Sequence, residues 1–369
     1  MRRTGIFMSF CMMRHRDRRA APADRKTAHR HTAGVLVCSA AVLVLLCFAS
    51  VRFGSADMTF TACVHALSGD AGYETERVIL LSVRLPRMAA GVLAGAGLSL
   101  SGLLLQTVTD NALAGPNIIG VNAGAGFACA ALLSFAPGIA ATLVGLPFAA
   151  FAGAFCTTLF ILLLSGAVTK NGNAGDSSGM DSGRTGVILA GVAVTALLNA
   201  AVSFLTLLDT DVLSSYNAFS VGGFSGVRMT QLSVPAAVIG FCLLLALLFA
   251  PQTEILCIGD RAAALLGIRV RRLRLLCILC ASACAAAVVS FAGLLGFVGL
   301  IVPHMARRIS SLHGGRALTV LCVLLGGCVT LAADLAGRLL LSPTEIPVGI
   351  MMAFVGVPYF LYLLRKGKG

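Results

Sequence analysis

Long apolar stretches separated by short polar segments dominate the chain. Ten of them approach or reach the roughly 20 residues that a helix needs to cross a bilayer. They are residues 33–51, 86–108, 117–136, 145–168, 186–208, 232–250, 275–294, 295–311, 316–337 and 346–364. Prolines and glycines supply the breaks where charge is absent, as at Pro116 and Pro137-Gly138. The pattern predicts an all-α, polytopic membrane protein with about ten transmembrane helices.

The composition agrees with this prediction. Hydrophobic residues make up 58% of the 369 positions and charged residues only 12%. A soluble domain of this length needs far more charge to cover its surface. The 41 glycines suit close contacts between membrane helices.

The distribution of basic residues predicts the orientation. An even number of spans places both termini on one side, and most of the 28 Lys and Arg residues fall in segments on that side. The positive-inside rule therefore predicts cytoplasmic termini. The opposite side carries Arg52, Arg77, Arg84, Arg87, Arg228 and Arg338. This asymmetry also accounts for the net charge of +13 without a nucleic-acid partner.

One membrane domain accounts for most of the chain. Residues 1–32 form a basic cytoplasmic tail that we expect to be disordered, residues 33–365 the membrane domain, and residues 366–369 a short cytoplasmic end. We expect an external loop at 52–85 and a flexible, Gly/Ser-rich cytoplasmic loop at 169–185.

Nothing in the sequence points to catalysis. There is no phosphate-binding loop, so ATP hydrolysis by this chain is not expected, and no nucleophile is paired with a base. Cys277, Cys280 and Cys284 share a helix face, but apolar neighbours disfavour thiolates and no fourth ligand lies nearby. We therefore predict no metal site and no cofactor.

An ion-coupled secondary transporter is the alternative. Such carriers use acidic residues inside the membrane. Asp334 is the acid that falls within a predicted span, and Arg338 lies one turn later, where the two can pair on one helix face.

The cytoplasmic segment 254–274 carries a candidate docking element. Asp260 is a suitable N-cap and Gly267 a suitable end for a short helix over 261–266 with an Ala/Leu face. A short amphipathic helix between two spans suits docking into a groove of a soluble partner. An ordinary charged loop is equally compatible with the residues alone.

Several motifs resemble those of the iron-siderophore/vitamin B12 family of ATP-binding-cassette (ABC) permeases. They occur in the family's order over about residues 33–365. They are Arg84-Leu85-Pro86-Arg87, residues 95–102 with Gln106, residues 111–124, 259–267 and 296–304, Ala333-Asp334 with Arg338, and residues 345–350 with Gly356-Val357-Pro358.

The resemblance implies a type II ABC importer permease fold in a bacterial cytoplasmic membrane. It implies a second permease subunit (a copy or a paralogue), two cytoplasmic ATPase subunits that bind ATP and Mg, an extracytoplasmic substrate-binding protein and surrounding lipid. The cargo would be an iron-siderophore or a related chelate such as heme or cobalamin, translocated by alternating access.

Site residues also follow from the resemblance. Coupling to the ATPase would use Gly259, Asp260, Arg261, Ala262, Leu265, Leu266 and Gly267. Acidic residues of the binding protein would meet exposed arginines at Arg84, Arg87 and Arg338, although each could instead be an interfacial anchor. The gate and pathway would include Gln106, Asn111, Leu113, Pro116, Gly183, Arg184 and Thr185. Gly115, where the family often has an acidic residue, and the long 169–185 loop depart from the family pattern.

Overall fold

The structure, a computed structural model, consists of helices joined by short turns and loops in the part of the chain that it describes. The described backbone comprises residues 22–54, 61, 65–66, 68, 70, 72–170, 179–310, 314–341 and 344–366. Within it, the side chains at 22–30, 118, 165–170, 179–185, 187–188, 363–364 and 366 are not described. Most of the predicted basic tail and the last three residues thus lie outside the described residues.

Thirteen helices follow one another along these described ranges. They are α1 (Pro22–Arg52), α2 (Glu74–Thr109), α3 (Val121–Phe135), α4 (Pro137–Ala140), α5 (Gly145–Lys170), α6 (Gly179–Leu208), α7 (Thr210–Val221), α8 (Met229–Leu256), α9 (Asp260–Leu265), α10 (Val270–Ala292), α11 (Val298–Ser310), α12 (Gly315–Leu340) and α13 (Val348–Lys366). A 3-10 turn, Pro116–Ile119, precedes α3.

Each of the ten predicted spans coincides with a helix. Seven helices in the described part are long and apolar enough to cross a membrane: α1, α2, α5, α6, α8, α10 and α12. The shorter apolar helices α3 and α13 and the 13-residue α11 occupy the other three positions. The prediction of an all-α polytopic membrane protein is confirmed.

Three helices begin earlier than the hydropathy pattern predicts. Helix α1 begins at Pro22 within the predicted tail, and α6 begins at Gly179 within the predicted Gly/Ser loop. Helix α2 begins at Glu74 within the predicted external loop, because Glu74 and Glu76 place acidic groups at its positive N-terminal end. Hydropathy marks the apolar part of a helix and misses such polar extensions.

Helix α7 was not predicted, although its start has a recognisable cap. The Asp209 carboxylate accepts a hydrogen bond from the backbone N–H of Asp211 at 2.8 Å. This is the usual N-cap arrangement, and it ends α6 and starts α7 within two residues. The mixed polar and apolar composition of α7 hides it from a search for apolar spans.

Helix α2 is the central helix, and glycines allow its neighbours to approach. A Cβ on Gly95 would overlap the carbonyl oxygen of Gly326 in α12, and a Cβ on Gly102 would overlap that of Gly299 in α11. Thr330 adds a hydrogen bond from its hydroxyl to the Gly91 carbonyl at 2.6 Å. Small residues at these contacts fix α2 between α11 and α12.

The outer helices of the bundle expose apolar side chains. In the most apolar window of α1 only 11% of the residues are buried, against 78% for α2. Val44 and Phe48 on α1 and Phe148 and Leu163 on α5 are more than half exposed. In water such surfaces would be unfavourable, whereas lipid or a second membrane subunit covers them without penalty.

Candidate functional site

A buried ionic cluster lies where α2, α12 and the segment before α13 meet at one end of the bundle. The guanidinium group of Arg87 donates to both oxygens of Asp334, from Nη2 at 2.9 Å and from Nε at 3.1 and 3.2 Å. Its other edge donates from Nη1 to Oε2 of Glu345 at 2.6 Å. Arg338 pairs with the second oxygen of Asp334 at 3.1 Å. Two arginines thus compensate the buried Asp334 carboxylate.

The same cluster holds the end of α1. Arg338 donates to the carbonyl oxygens of Ser50 and Phe53 at 3.2 and 3.1 Å and to the Ser50 hydroxyl at 2.7 Å. Arg84 donates to the carbonyl oxygens of Val51 and Arg52. The last carbonyls of a helix have no partners within the helix and attract cations. Both arginines therefore tie α1 to the core.

The burial of these arginines corrects one expectation. Arg84, Arg87 and Arg338 are only 4%, 7% and 3% exposed, so the prediction of three exposed arginines on the outer face is wrong. Their charges are neutralised or hydrogen-bonded inside the subunit, which is what makes burial tolerable. The predicted pairing of Asp334 with Arg338 is confirmed. Sequence spacing gave no sign that Arg87 and Glu345 join this pair, since they come from other segments.

Glu345 forms the outward edge of the cluster. Its side chain is 27% exposed, whereas that of Asp334 is 1% exposed. Burial alone would raise the pKa of the Glu345 carboxyl, but the hydrogen bond and charge of Arg87 and the charge of Arg338 outweigh burial and hold this pKa below its usual value. Glu345 is therefore ionised at neutral pH.

At the opposite end of the bundle, α9 is a short helix between α8 and α10. The structure corrects its predicted start by one residue: Gly259, with φ of 128°, is the N-cap, and Asp260 is the first helical residue. The Asp260 carboxylate does not cap the helix, because both its oxygens accept from Nη2 of Arg274 at 2.6 Å. This ion pair fixes α9 to α10.

Gly267 supplies the predicted stop for α9, although the last helical residue is Leu265 and not the predicted residue 266. Its φ of 81° lies in the left-handed region, and two backbone hydrogen bonds close the turn: Gly267 N–H to the Ala264 carbonyl at 3.0 Å and Ile268 N–H to the Ala263 carbonyl at 3.1 Å. This pair of bonds is the Schellman arrangement that stops a helix. The short helix thus has a defined length and direction.

The outward face of α9 is apolar. Leu265 is 89% exposed and Leu266 is 65% exposed, while Ala263 on the inward side is fully buried. Four arginines close to the leucines in the sequence are also exposed: Arg261, Arg269, Arg271 and Arg272. Two adjacent exposed leucines at the end of a fixed helix form a surface suited to an apolar groove of another protein.

Gln106 joins α2 to α11 inside the subunit. It is 4% exposed, and its Nε2 donates to the carbonyl oxygens of Gly299 and Leu300 at 3.4 and 3.2 Å. Pro303 has no N–H to offer the Gly299 carbonyl, so Gln106 supplies the missing donor. Arg307 donates to Oε1 of Gln106 at 2.5 Å. Gln106 thus joins α2 to α11 by hydrogen bonds and does not line an exposed surface of this chain.

The remaining predicted gate residues separate into two groups. In the 111–116 loop, Asn111 is exposed and its Oδ1 accepts from Leu113 N–H at 2.9 Å, while Pro116 is buried at the start of the 3-10 turn. Leu113 and Pro116 line a cavity of about 120 Å³ together with Leu98 and Leu300. The side chains of Arg184 and Thr185 are not described, and the backbone of Gly183, Arg184 and Thr185 belongs to the first turns of α6.

Comparison with known proteins identifies the family. The model of the FecCD transport family matches residues 42–366. The hemin transport system permease protein HmuU of Yersinia pestis is 33% identical over 89% of this chain and 94% of its own length. The iron(3+)-hydroxamate import permease FhuB of Bacillus subtilis is 34% identical over 97% of this chain and 90% of its own length. The cobalamin import permease BtuC of Halobacterium salinarum is 37% identical over 79% and 74%.

A solved structure has the same fold. A metal-chelate type ABC transporter in an inward-facing conformation superposes with a TM-score of 0.75 at 26% identity, over 90% of this chain and 99% of that one. The family model, over residues 42–366, matches from within the first predicted span to the end of the last one. The chain therefore belongs to the FecCD transport family of ABC importer permeases.

Proposed function

We propose that this chain forms half of the membrane pathway of an importer for ferric siderophores or related metal chelates, driven by a separate ATPase. Relatives named for hemin, iron-hydroxamate and cobalamin are all 33–37% identical to it, which supports the chelate class but not one member of it. A second permease subunit would complete the pathway, and both termini would be cytoplasmic.

The observation that carries the proposal is the exposed leucine pair on α9. Leu265 and Leu266 stand out from a helix that an ion pair and a Schellman turn hold in place. A nucleotide-binding subunit that closes on ATP would push on such a helix without bending it. The motion would pass to α8 and α10, which flank α9 directly.

The buried ionic cluster supports a docking function for the other end. An acidic group of an extracytoplasmic binding protein would meet the end of the bundle that holds Arg84, Arg87 and Arg338. Charge complementarity of this kind orients a partner and speeds its association. Because the arginines are buried, we assign them first the task of holding α1, α2 and α12 in the shape that the partner recognises.

The cytoplasmic exit would be controlled by the loop at 111–116 and the start of α6. Asn111 and Leu113 form a compact turn at the end of α2, and a cavity lies beneath it. Hydrogen bonds of Gln106 with Arg307 and with the Leu300 carbonyl join the same end of α2 to α11. Movement of α11 relative to α2 would therefore reach this loop.

The test is affinity purification of the tagged chain from mild detergent, followed by mass spectrometry. We expect an ABC ATPase at a ratio near one to one, and an extracytoplasmic binding protein after mild crosslinking. The variant Leu265→Asp should lose the ATPase and keep the binding protein. Recovery of the intact chain without an ATPase would contradict the proposal and favour an ion-coupled carrier.

A further inference from the structure

The ionic cluster holds its two carboxylates, those of Asp334 and Glu345, with different numbers of contacts. Asp334 is held through both of its oxygens by two arginines. Glu345 is held through Oε2 alone, by Nη1 of Arg87 at 2.6 Å and by the Ser225 hydroxyl at 3.4 Å. Oε1 of Glu345 has no hydrogen-bond partner among the described residues. The two carboxylates therefore differ in how firmly the protein retains them.

Glu345 also stands between Arg87 and the outside. The Arg87 side chain is 9% exposed and that of Glu345 is 27% exposed, so a group arriving from outside meets Glu345 first. The backbone next to Glu345 is fixed, since Ile346 N–H donates to the Gly337 carbonyl at 3.0 Å. A rotation of the Glu345 side chain alone would open the Nη1 edge of Arg87. Asp334 would keep its bidentate hold on the other edge.

We propose that Glu345 is an internal stand-in for a carboxylate of the docking protein, and that docking exchanges one for the other on Arg87. The incoming group is an Asp or Glu side chain of an extracytoplasmic protein, because Nη1 offers a charge-assisted hydrogen bond. This inference rests on the proposed function, in which such a protein docks at this end. The exchange keeps Arg87 paired in both states, and it lets the undocked subunit bury its arginines safely.

Exchange has a measurable consequence. Docking must break the contact between Glu345 and Arg87, so weakening this contact should tighten docking. A partly exposed ion pair of this kind is worth up to about 1 kcal/mol, which corresponds to a roughly five-fold change in Kd. If Glu345 were instead a direct contact for the partner, weakening it would raise the Kd. If Glu345 were only a structural support, the Kd would not change.

The experiment measures binding of the extracytoplasmic protein recovered by crosslinking to the permease–ATPase complex in nanodiscs. We expect Glu345→Gln to lower Kd about five-fold, because glutamine keeps the shape and removes the charge. Glu74→Gln is the matched control: it removes one negative charge from an exposed position on α2 and should leave Kd unchanged. An equal effect of both variants would reduce the result to general electrostatics and overturn the exchange.

A second variant and a labelling experiment test the exchange even if Glu345→Gln folds poorly. Ser225→Ala removes only the weaker hold on Glu345 and should shift Kd in the same direction by less. Labelling of Arg87 by phenylglyoxal should be faster in Glu345→Gln than in wild type, and the bound partner should suppress it. Unchanged or weaker docking in both variants, or labelling that ignores the partner, would contradict the exchange. Failure to recover any docking protein with wild type would instead contradict the proposed function.

Discussion

Truncation of the leucine pair on α9 should release the ATPase from the membrane subunit. The change is Leu265→Ala with Leu266→Ala, which shortens two exposed side chains and leaves the helix, its ion pair and its Schellman turn intact. Alanine is a strong helix former, so α9 should persist. The effect should therefore appear in association with the partner and not in the fold of the permease.

The magnitude follows from the exposed fractions. Each substitution removes three carbon atoms, and a buried CH₂ contributes about 0.8 kcal/mol. Leu265 and Leu266 have 89% and 65% of their surface available for burial. A groove that covers the pair completely would therefore gain about 3–4 kcal/mol from these atoms, and one that covers half would gain about 1.5–2 kcal/mol. The expected rise in Kd lies between roughly ten-fold and roughly a thousand-fold.

The assay is binding of the purified ATPase to the permease in nanodiscs by biolayer interferometry, with substrate-stimulated ATP hydrolysis as a second readout. Leu341→Ala is the matched control. Leu341 is 58% exposed and follows the last residue of α12, at the end of the bundle away from α9. The double variant should bind the ATPase weakly and show no stimulation, and the control should behave as wild type. A rise in Kd of less than about three-fold in a well-folded double variant would refute the docking of α9 in an apolar groove.

Three further predictions concern stability and pH. Asp334→Ala should lower the free energy of unfolding by about 3–5 kcal/mol, because it leaves the guanidinium groups of Arg87 and Arg338 buried without a countercharge; a melting temperature like that of wild type would contradict this. Gly95→Leu should prevent assembly of the bundle, measured as loss of the monodisperse peak in size-exclusion chromatography, because its side chain has no room beside Gly326; normal elution would refute the close packing. The pKa of Glu345 is lowered in the folded protein, so the ionised carboxylate stabilises the fold fully above its ordinary pKa of about 4.3, and this stabilisation is lost as the pH falls through the lower, folded-state pKa. Glu345→Gln should therefore reduce the fall in melting temperature between neutral and acidic pH. A melting temperature that falls with pH as in wild type would exclude this contribution.

The sequence predicts the helices well and their packing poorly. Apolar length is a local property of the chain, so each of the ten predicted spans coincides with a helix. The orientation that the basic residues indicate stays a prediction. The stop for α9 at Gly267 was also local and was correct. Its start was misplaced because Asp260 pairs with Arg274, and a tertiary ion pair outcompetes the cap that the local pattern favours.

The ionic cluster shows why the rest could not be predicted. Arg87, Asp334 and Glu345 are brought together by three segments that are far apart in the sequence. Only the Asp334–Arg338 pair, at one-turn spacing, was visible beforehand. The role of Gln106 likewise depends on Pro303. Because Pro303 has no N–H, the Gly299 carbonyl lacks its partner within the helix and accepts a hydrogen bond from Gln106 of another helix. Long-range partners of polar side chains require the folded structure.

The central claim is that this chain moves a metal chelate at the expense of ATP hydrolysed by another subunit. The most direct measurement is uptake into proteoliposomes that contain the permease and its ATPase, with the binding protein outside and radiolabelled ferric hydroxamate, hemin or cobalamin as cargo. We predict that one of these accumulates only with ATP and Mg²⁺ on the ATPase side, and that a proton or sodium ionophore has no effect. Accumulation without ATP that collapses on addition of the ionophore would contradict the account.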